Sequence, residues 1–413
     1  MTEMLPTRDG FGKGLVKAGQ KNKNVVALSA DLSESTRTHW FQAKFPSRFF
    51  EIGVAEQNLI TVASGMAHLG KIPFTTSYAT FQPGRCLEQI RTTIAYNNQP
   101  VKVVGCHAGI SVGPDGATHQ ALEDLSWMRT MPNMHVFVPA DANEAEKITL
   151  ASVQLGPCYI RLGREKTAVF TEKRAKFEVG KAQVLRGGND VTIIGCGPQV
   201  FEALQAARSL EKKNIKARVI NLATIKPIDK KTLVKAAKDT GVVVTIEEHQ
   251  ILGGMGSAVA EVLSEHYPVP QLRLGIQDRF GESGSPDELL SKFGLKAIDV
   301  EKAVHKAMVI KGGGSQHADL RDGLGKVHHE LAFRFSTGDR VRSIPEMADA
   351  LERMPHDAFH HHVNEQKNDI CQWVQEACGD ETLAHLLTVH TTKEEMTEIL
   401  KMRVAYLERK AGW

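Results

Sequence analysis

The chain has 413 residues, 42% of them hydrophobic and 24% charged, the balance of a soluble globular protein and a length that suggests two or three domains. A net charge of +3 gives no electrostatic case for nucleic acid or an anionic membrane as partner. No run of 18 apolar residues occurs, the N-terminus lacks an apolar signal core, and the six cysteines form no CxxC pair; a cytoplasmic protein without a disulfide framework or zinc site is expected.

Residues 1–170 alternate strand and helix patterns. "VVALSA" (25–30) is a short apolar run ending at Asp31, and "KVVGC" (102–106) and "MHVFVP" (134–139) are similar. Each leads into a polar or glycine-rich loop and then a helical stretch. Short buried strands separated by helices imply a parallel sheet covered on both faces. The loops after such strands are where an open α/β sheet places its ligands.

After a charged segment at 163–180, residues 180–310 repeat the theme. "DVTIIGCG", "ARVINL", "GVVVTIEE" and "QLRLGI" read as strands; "KKTLVKAAKD" and "GSAVAEVLSEH" read as helices. "QVFEALQAARSLEKK" is amphipathic, with Phe201, Leu204, Ala207 and Leu210 expected on the buried face. The fold class is therefore two doubly wound α/β domains, 1–170 and 180–310.

Residues 311–329 lack periodicity and read as a linker. Residues 330–413 read as a small, mostly helical module: a hairpin around Gly338, a helix capped by Ser343-x-x-Glu346, and a last helix starting at Thr391-x-x-Glu394. His356, His360, His361 and His362 invite a metal reading, but without Cys or clustered carboxylates at matching spacing a histidine-rich helix surface is the better one, and no metal ligand is assigned in this chain. Trp373, Val374, Leu383, Leu386 and Leu387 read as core.

Four stretches carry the chemistry: "GVAEQN" (53–58), "PFTTSYATFQPGRCLEQIR" (73–91), "GCHAGISVGPDGATHQALED" (105–124) and "MPNMHVFVPADANEAE" (131–146). Taken alone, Glu56 opens an apolar helix and would usually be a carboxylate favouring a helix N-terminus. Tyr78 and Phe81 would be core aromatics near a strand end. His107, Asp115 and His119 lie within one loop region interleaved with Gly109, Gly113 and Gly116, a density of polar groups that favours a site. In order and spacing, the four stretches resemble the C-terminal half of transketolase, the thiamine diphosphate enzyme, over residues 5–310.

The resemblance implies a pyrimidine-binding domain followed by the transketolase C-terminal domain, which serves dimerisation and stability. It implies that Glu56 hydrogen-bonds the coenzyme's aminopyrimidine ring and favours the tautomer that takes a proton from the thiazolium carbon. Tyr78 and Phe81 would stack on that ring. His107 and His119 would serve catalysis and contact the sugar with Asp115; Arg8, Ser35 and Arg164 would hold its phosphate. Arg91 and Arg161 are alternative salt-bridge partners. The GDG motif of a diphosphate-binding domain, with its magnesium ligands, is absent from the chain. A split enzyme is therefore expected: an N-terminal subunit supplies the diphosphate site and ligates Mg2+, two copies of each subunit assemble, and a two-carbon ketol unit passes between sugar phosphates of the pentose phosphate pathway. Deoxyxylulose phosphate synthase, the beta subunit of 2-oxo acid dehydrogenases and a non-catalytic assembly subunit are the alternatives. Cys106-His107 and Gln120 depart from the synthase pattern. The appended module is expected to dock on the α/β body or the partner.

Overall fold

Strands Val25–Ser29 and Lys102–Cys106 are buried at every position, as strands covered on both faces must be. The computed structural model describes residues 3–312 and 324–411, and divides the chain into two units, Met1–Glu301 and Lys302–Trp413.

In the first unit a seven-stranded sheet runs in the order Thr224–Lys226, His135–Phe137, Cys158–Arg161, Lys102–Cys106, Ile72–Tyr78, Val25–Ser29, Phe49–Glu51. Every neighbouring pair is parallel except the first, where Thr224–Lys226 runs antiparallel to His135–Phe137. A second sheet has the order Gln271–Ile276, Val243–Gln250, Val191–Gly195, Ala217–Asn221, Gln183–Arg186, with only the last strand antiparallel. Thr224–Lys226 thus leaves the second half of the sequence to complete the edge of the first sheet. A strand needs a partner ladder, and sequence does not say which sheet offers one.

Helix Thr7–Lys21 packs against helix Ala142–Ser152 so closely that a Cβ on Gly10 would stand 1.9 Å from the Ala142 carbonyl oxygen. Only glycine allows that approach. Lys102 is wholly buried within its strand; its Nζ donates to the Leu155 and Gly156 carbonyls, 2.7 Å each, and burial pushes its pKa down to about 8.

Helix Gln199–Lys212 buries Val200, Ala203, Ala206, Ala207 and Leu210, whereas Phe201 and Leu204 are only half-buried. The expected stripe was therefore turned on one side: small residues face the sheet, and Phe201 instead meets the Phe170 ring at 5.9 Å.

In the second unit, Phe333–Arg334 pairs antiparallel with Arg340–Val341 around Gly338, whose φ of +94° suits the turn. Ser343 accepts from the Glu346 amide as expected, but the Glu346 carboxylate reaches back to the Arg342 amide at 2.8 Å rather than to Ser343. The last helix begins one residue later than the sequence suggests: Thr392, not Thr391, accepts from an amide, that of Glu395. Trp373, Val374, Leu383, Leu386 and Leu387 lie in this unit's core. His362 is buried, accepting from the Ser336 amide at 2.9 Å and pairing with Asp369 at 3.0 Å, so it is structural. Helix Ala297–Gly312 runs into the expected linker at 311–329, most of which (313–323) lies outside the described residues.

The Asp124 carboxylate, fully buried, receives the Arg161 Nε at 2.8 Å and the Tyr159 hydroxyl at 2.7 Å. Asp124→Ala leaves the guanidinium buried without a counter-charge and should cost about 3–5 kcal/mol. A lowered urea midpoint for the α/β body would register this, and an apolar Asp124→Leu/Arg161→Met pair should recover much of it. An unchanged midpoint in the single variant would show that the pair does not support the fold.

Candidate active site

The parallel strands of the first sheet deliver the candidate residues to one end. Ser35 follows Val25–Ser29, Glu56 follows Phe49–Glu51, Tyr78 ends Ile72–Tyr78, His107 follows Lys102–Cys106 and Arg164 follows Cys158–Arg161. This is the carboxyl end of the sheet, the usual ligand edge of an open α/β fold. Arg8 arrives in the first turn of helix Thr7–Lys21.

Tyr78 is the centre of the cluster. Its ring stacks on His107 with centroids 4.0 Å apart and lies near-parallel to Phe81 at 6.1 Å. His119 meets the edges of both aromatics, at 6.2 Å from Tyr78 and 5.4 Å from Phe81. The Tyr78 hydroxyl donates to Ser35 Oγ at 3.4 Å, and the Arg8 guanidinium donates to the Ser35 carbonyl at 2.8 Å. Arg164 pairs with Asp115 at 3.2 Å and donates to the Val112 carbonyl at 2.9 Å.

Glu56 opens helix Glu56–His68 and is 2% exposed. It is not merely lending charge to a helix end. Ser77 Oγ donates to one carboxylate oxygen at 3.2 Å, and Arg85 donates to the other at 2.7 Å. The same Arg85 guanidinium lies 4.8 Å from the Phe81 ring centroid, which joins Glu56 to the aromatic cluster. Seven of the nine residues singled out from sequence are thus joined by contacts into one cluster, and Arg164, paired with Asp115, acts on it through its charge on His107.

Three others had escaped notice. Ser77 and Arg85 stand within a quoted stretch, but nothing in their spacing ties them to Glu56, 21 and 29 positions away. Arg37, held by Asp9 at 2.7 Å, adds a third arginine to the field of Arg8 and Arg164. Of the two alternatives, Arg161 is the buried partner of Asp124 and Arg91 is exposed.

The His107 imidazole is 2% exposed, and its backbone holds a φ of +55°, a left-handed conformation costly for a non-glycine residue. Burial, then the charges of Arg8, Arg164 and Arg37 and the His119 ring, push its pKa down to about 3. Arg8 Nη1 lies 3.3 Å from His107 Nε2. A guanidinium has no acceptor, so Nε2 accepts and the proton resides on Nδ1. That Nδ1–H, like Arg8 Nε, is buried with no hydrogen-bond partner among the described residues. Buried donors seldom stay unmet, so the pair fits a ligand carrying oxygen acceptors.

An aromatic platform beside a buried carboxylate fits a flat, nitrogenous heterocycle, and an arginine field with idle donors fits a phosphorylated polyol. Among the described residues, no group of three or more His, Cys, Asp or Glu could hold a metal ion.

Long-range 15N NMR should find His107 with Nδ1 protonated and Nε2 bare throughout pH 5–8 (about the accessible range). The folded-state pKa lies below the ordinary histidine value of 6.5, so its contribution to stability is complete above that value and is lost as pH falls toward about 3. Relative to His107→Asn, the native chain should accordingly lose stability with acid across that window. A ring that titrates near neutrality would contradict the geometry.

Family models match most of the α/β unit: the transketolase pyrimidine-binding domain over residues 3–169 and the transketolase C-terminal domain over 180–300. A putative transketolase C-terminal section from Methanocaldococcus jannaschii is 45% identical over 306 residues, covering 73% of this chain and 96% of that protein. The 6-deoxy-6-sulfo-D-fructose transketolase subunit SqwH of a Clostridium species is 42% identical, covering 72% and 93%. A solved split-gene transketolase, described as an inactive beta4 tetramer, superposes with a TM-score of 0.71 at 50% identity, covering 74% of this chain and 99% of that one. The chain belongs to the transketolase family of thiamine diphosphate-dependent transferases, and its two α/β domains are those of the C-terminal subunit of a split transketolase.

Proposed function

We propose that the chain supplies one half of a composite transketolase site and that an N-terminal subunit supplies the other, together transferring a two-carbon ketol unit from a ketose phosphate to an aldose phosphate. The observation that carries this reading is the buried Glu56 carboxylate joined through Arg85 to the Phe81 and Tyr78 rings. When bound, thiamine diphosphate supplies the carbanion and the electron sink that ketol transfer needs.

Glu56 is the residue to hold the aminopyrimidine ring by a hydrogen bond, with Tyr78 and Phe81 as its aromatic support. His107, kept neutral by burial and by three arginines, donates Nδ1–H to a substrate oxygen rather than delivering a proton from an imidazolium. His119, half-exposed at the rim beside Thr118 Oγ1 at 3.0 Å, is the ring placed to exchange protons with substrate and solvent. Arg8, Ser35 and Arg164 grip the sugar phosphate, and Asp115, tied to Arg164, accepts from sugar hydroxyls.

The diphosphate and its Mg2+ fall to the partner subunit, in an assembly of two copies of each chain. A related structure described as an inactive beta4 tetramer fits a subunit that needs another polypeptide. Relatives of similar span are named for 6-deoxy-6-sulfo-D-fructose, a ketose sulfonate, and for apulose 4-phosphate, so both a ketose sulfonate and ketose phosphates beyond those of the pentose phosphate pathway belong on the substrate panel. Free, buried Cys86, Cys106, Cys158 and Cys196 suit a reducing compartment, the cytoplasm. No described helix is long and apolar enough to cross a membrane.

Mixing the chain with its N-terminal subunit, thiamine diphosphate and Mg2+ should produce ketol transfer that neither chain gives alone. Glu56→Gln should lower kcat about 100-fold or more, the range for losing a positioned proton-sharing group. Full activity in that variant, or turnover by the unmixed chain, would overturn the assignment.

A further inference from the structure

Among the described residues, the ring and hydrogen-bond partners of the Tyr78 cluster all come from the first domain, yet the second α/β domain holds the loop that bears His107, Asp115 and His119. Two grips are visible. The first comes from strand Val243–Gln250, where Glu248 Oε1 accepts from the Ser111 amide at 2.6 Å. Glu248 is itself buried, and it fills the space a side chain at residue 109 would need: a Cβ on Gly109, whose φ is +88°, would stand 2.3 Å from Glu248 Oε1. The Glu248 backbone is fixed in turn, since Arg161 donates to its carbonyl at 2.9 Å and to that of Ala121 at 3.1 Å.

The second grip is the turn after strand Gln271–Ile276. Gln120 Nε2 donates to the Glu282 carbonyl at 2.9 Å and to the Ile110 carbonyl at 3.1 Å, tying that turn to both ends of the 110–120 segment. Packing is tight here too: a Cβ on Gly281 would lie 1.8 Å from Gln120 Oε1, and one on Gly116 would lie 2.5 Å from Ser283 Oγ. Ser111 and Gln120 bracket Asp115 and His119, so both borders of the loop answer to the second domain.

We propose that Glu248 and the 281–284 turn are positioning elements for the candidate sugar-phosphate loop, so that the second domain sets how tightly the ketose phosphate is held. This deepens the reading of Arg8, Asp115, His119 and Arg164 as substrate-binding groups and rests on it. A loop displaced by a fraction of an ångström presents its groups out of register with the sugar, which weakens binding before it weakens the coenzyme chemistry.

The test uses the full chain with its N-terminal subunit. Glu248→Ala removes the acceptor for Ser111; Glu248→Gln keeps an oxygen there and drops the charge. Gly281→Ala collides with the end of the Gln120 side chain and otherwise meets Ile110 Cγ2 at 3.4 Å, an ordinary contact, so it should fold. Glu247→Gln is the control: Glu247 bonds the Met255 and Gly256 amides at 2.6 and 2.8 Å at the start of another helix, not the loop. Glu248→Ala should raise KM for the ketose phosphate about tenfold, and Gly281→Ala several-fold, with kcat and coenzyme affinity within about twofold of the native chain. Glu248→Gln should restore KM, and Glu247→Gln should leave it alone. Hydrogen exchange across 107–120 in the same complex, read without substrate, should accelerate in Glu248→Ala and Gly281→Ala only. Native KM and native exchange in those two variants would overturn the proposal, as would an equal KM rise in Glu247→Gln. If the native mixture is inactive while exchange responds as described, the positioning stands and the ketol-transfer reading fails.

Discussion

The buried Asp124–Arg161 pair is the joint on which the α/β unit turns. Arg161 ends a central strand of the first sheet, Asp124 opens the helix that follows the candidate loop, and the free arm of the guanidinium takes carbonyls from both that loop and the second domain. A guanidinium has five donors in a fixed fork, so one residue can hold three segments at set angles. Such a pair is weak evidence for stability; what it shows here is a fixed junction of three chain segments.

That joint bears on where ligands can go. Both sheets are open and mostly parallel, and each has a carboxyl end of the kind that receives ligands. In the first sheet that end carries the Tyr78 cluster. In the second, the ends of Val191–Gly195 and Val243–Gln250 are taken up by the protein itself: the Gly197 amide donates to the Val138 carbonyl at 3.3 Å, His249 accepts from the Leu125 amide at 3.2 Å, and Glu248 holds Ser111. One ligand edge is used for docking so that the other can be held still.

The electrostatics of the site follow from burial. Burial, with the charges of Arg8, Arg164 and Arg37, keeps His107 neutral near neutral pH, and Arg8 fixes its tautomer. Glu56, by contrast, is a buried carboxylate met by one arginine, Arg85. Under the proposed reading, the arginines offer donors to a phosphorylated sugar, Glu56 offers an acceptor to a heterocycle, and Tyr78 and Phe81 join the two groups.

Much of this was legible in the sequence. Continuous apolar runs such as "VVALSA" and "KVVGC" specify buried parallel strands because their periodicity is local. Glu56, Tyr78, Phe81, His107, Asp115 and His119 were singled out within motifs that fall at or just after strand ends or at a helix start, whereas Arg8, Ser35 and Arg164 lie outside those motifs and were singled out through the family resemblance alone. What sequence could not supply was pairing across distance. Arg85 meets Glu56 from 29 positions away, Asp124 meets Arg161 from 37, and Glu248 meets Ser111 from 137. Thr224–Lys226 joined a sheet that its neighbours in sequence did not, and Lys102, a charge inside a buried strand, was accommodated by two carbonyls at a turn 53 residues on. A side chain's own neighbours fix its strand or helix; which charge, ladder or carbonyl satisfies it is decided only when the chain crossings bring distant segments within hydrogen-bond reach.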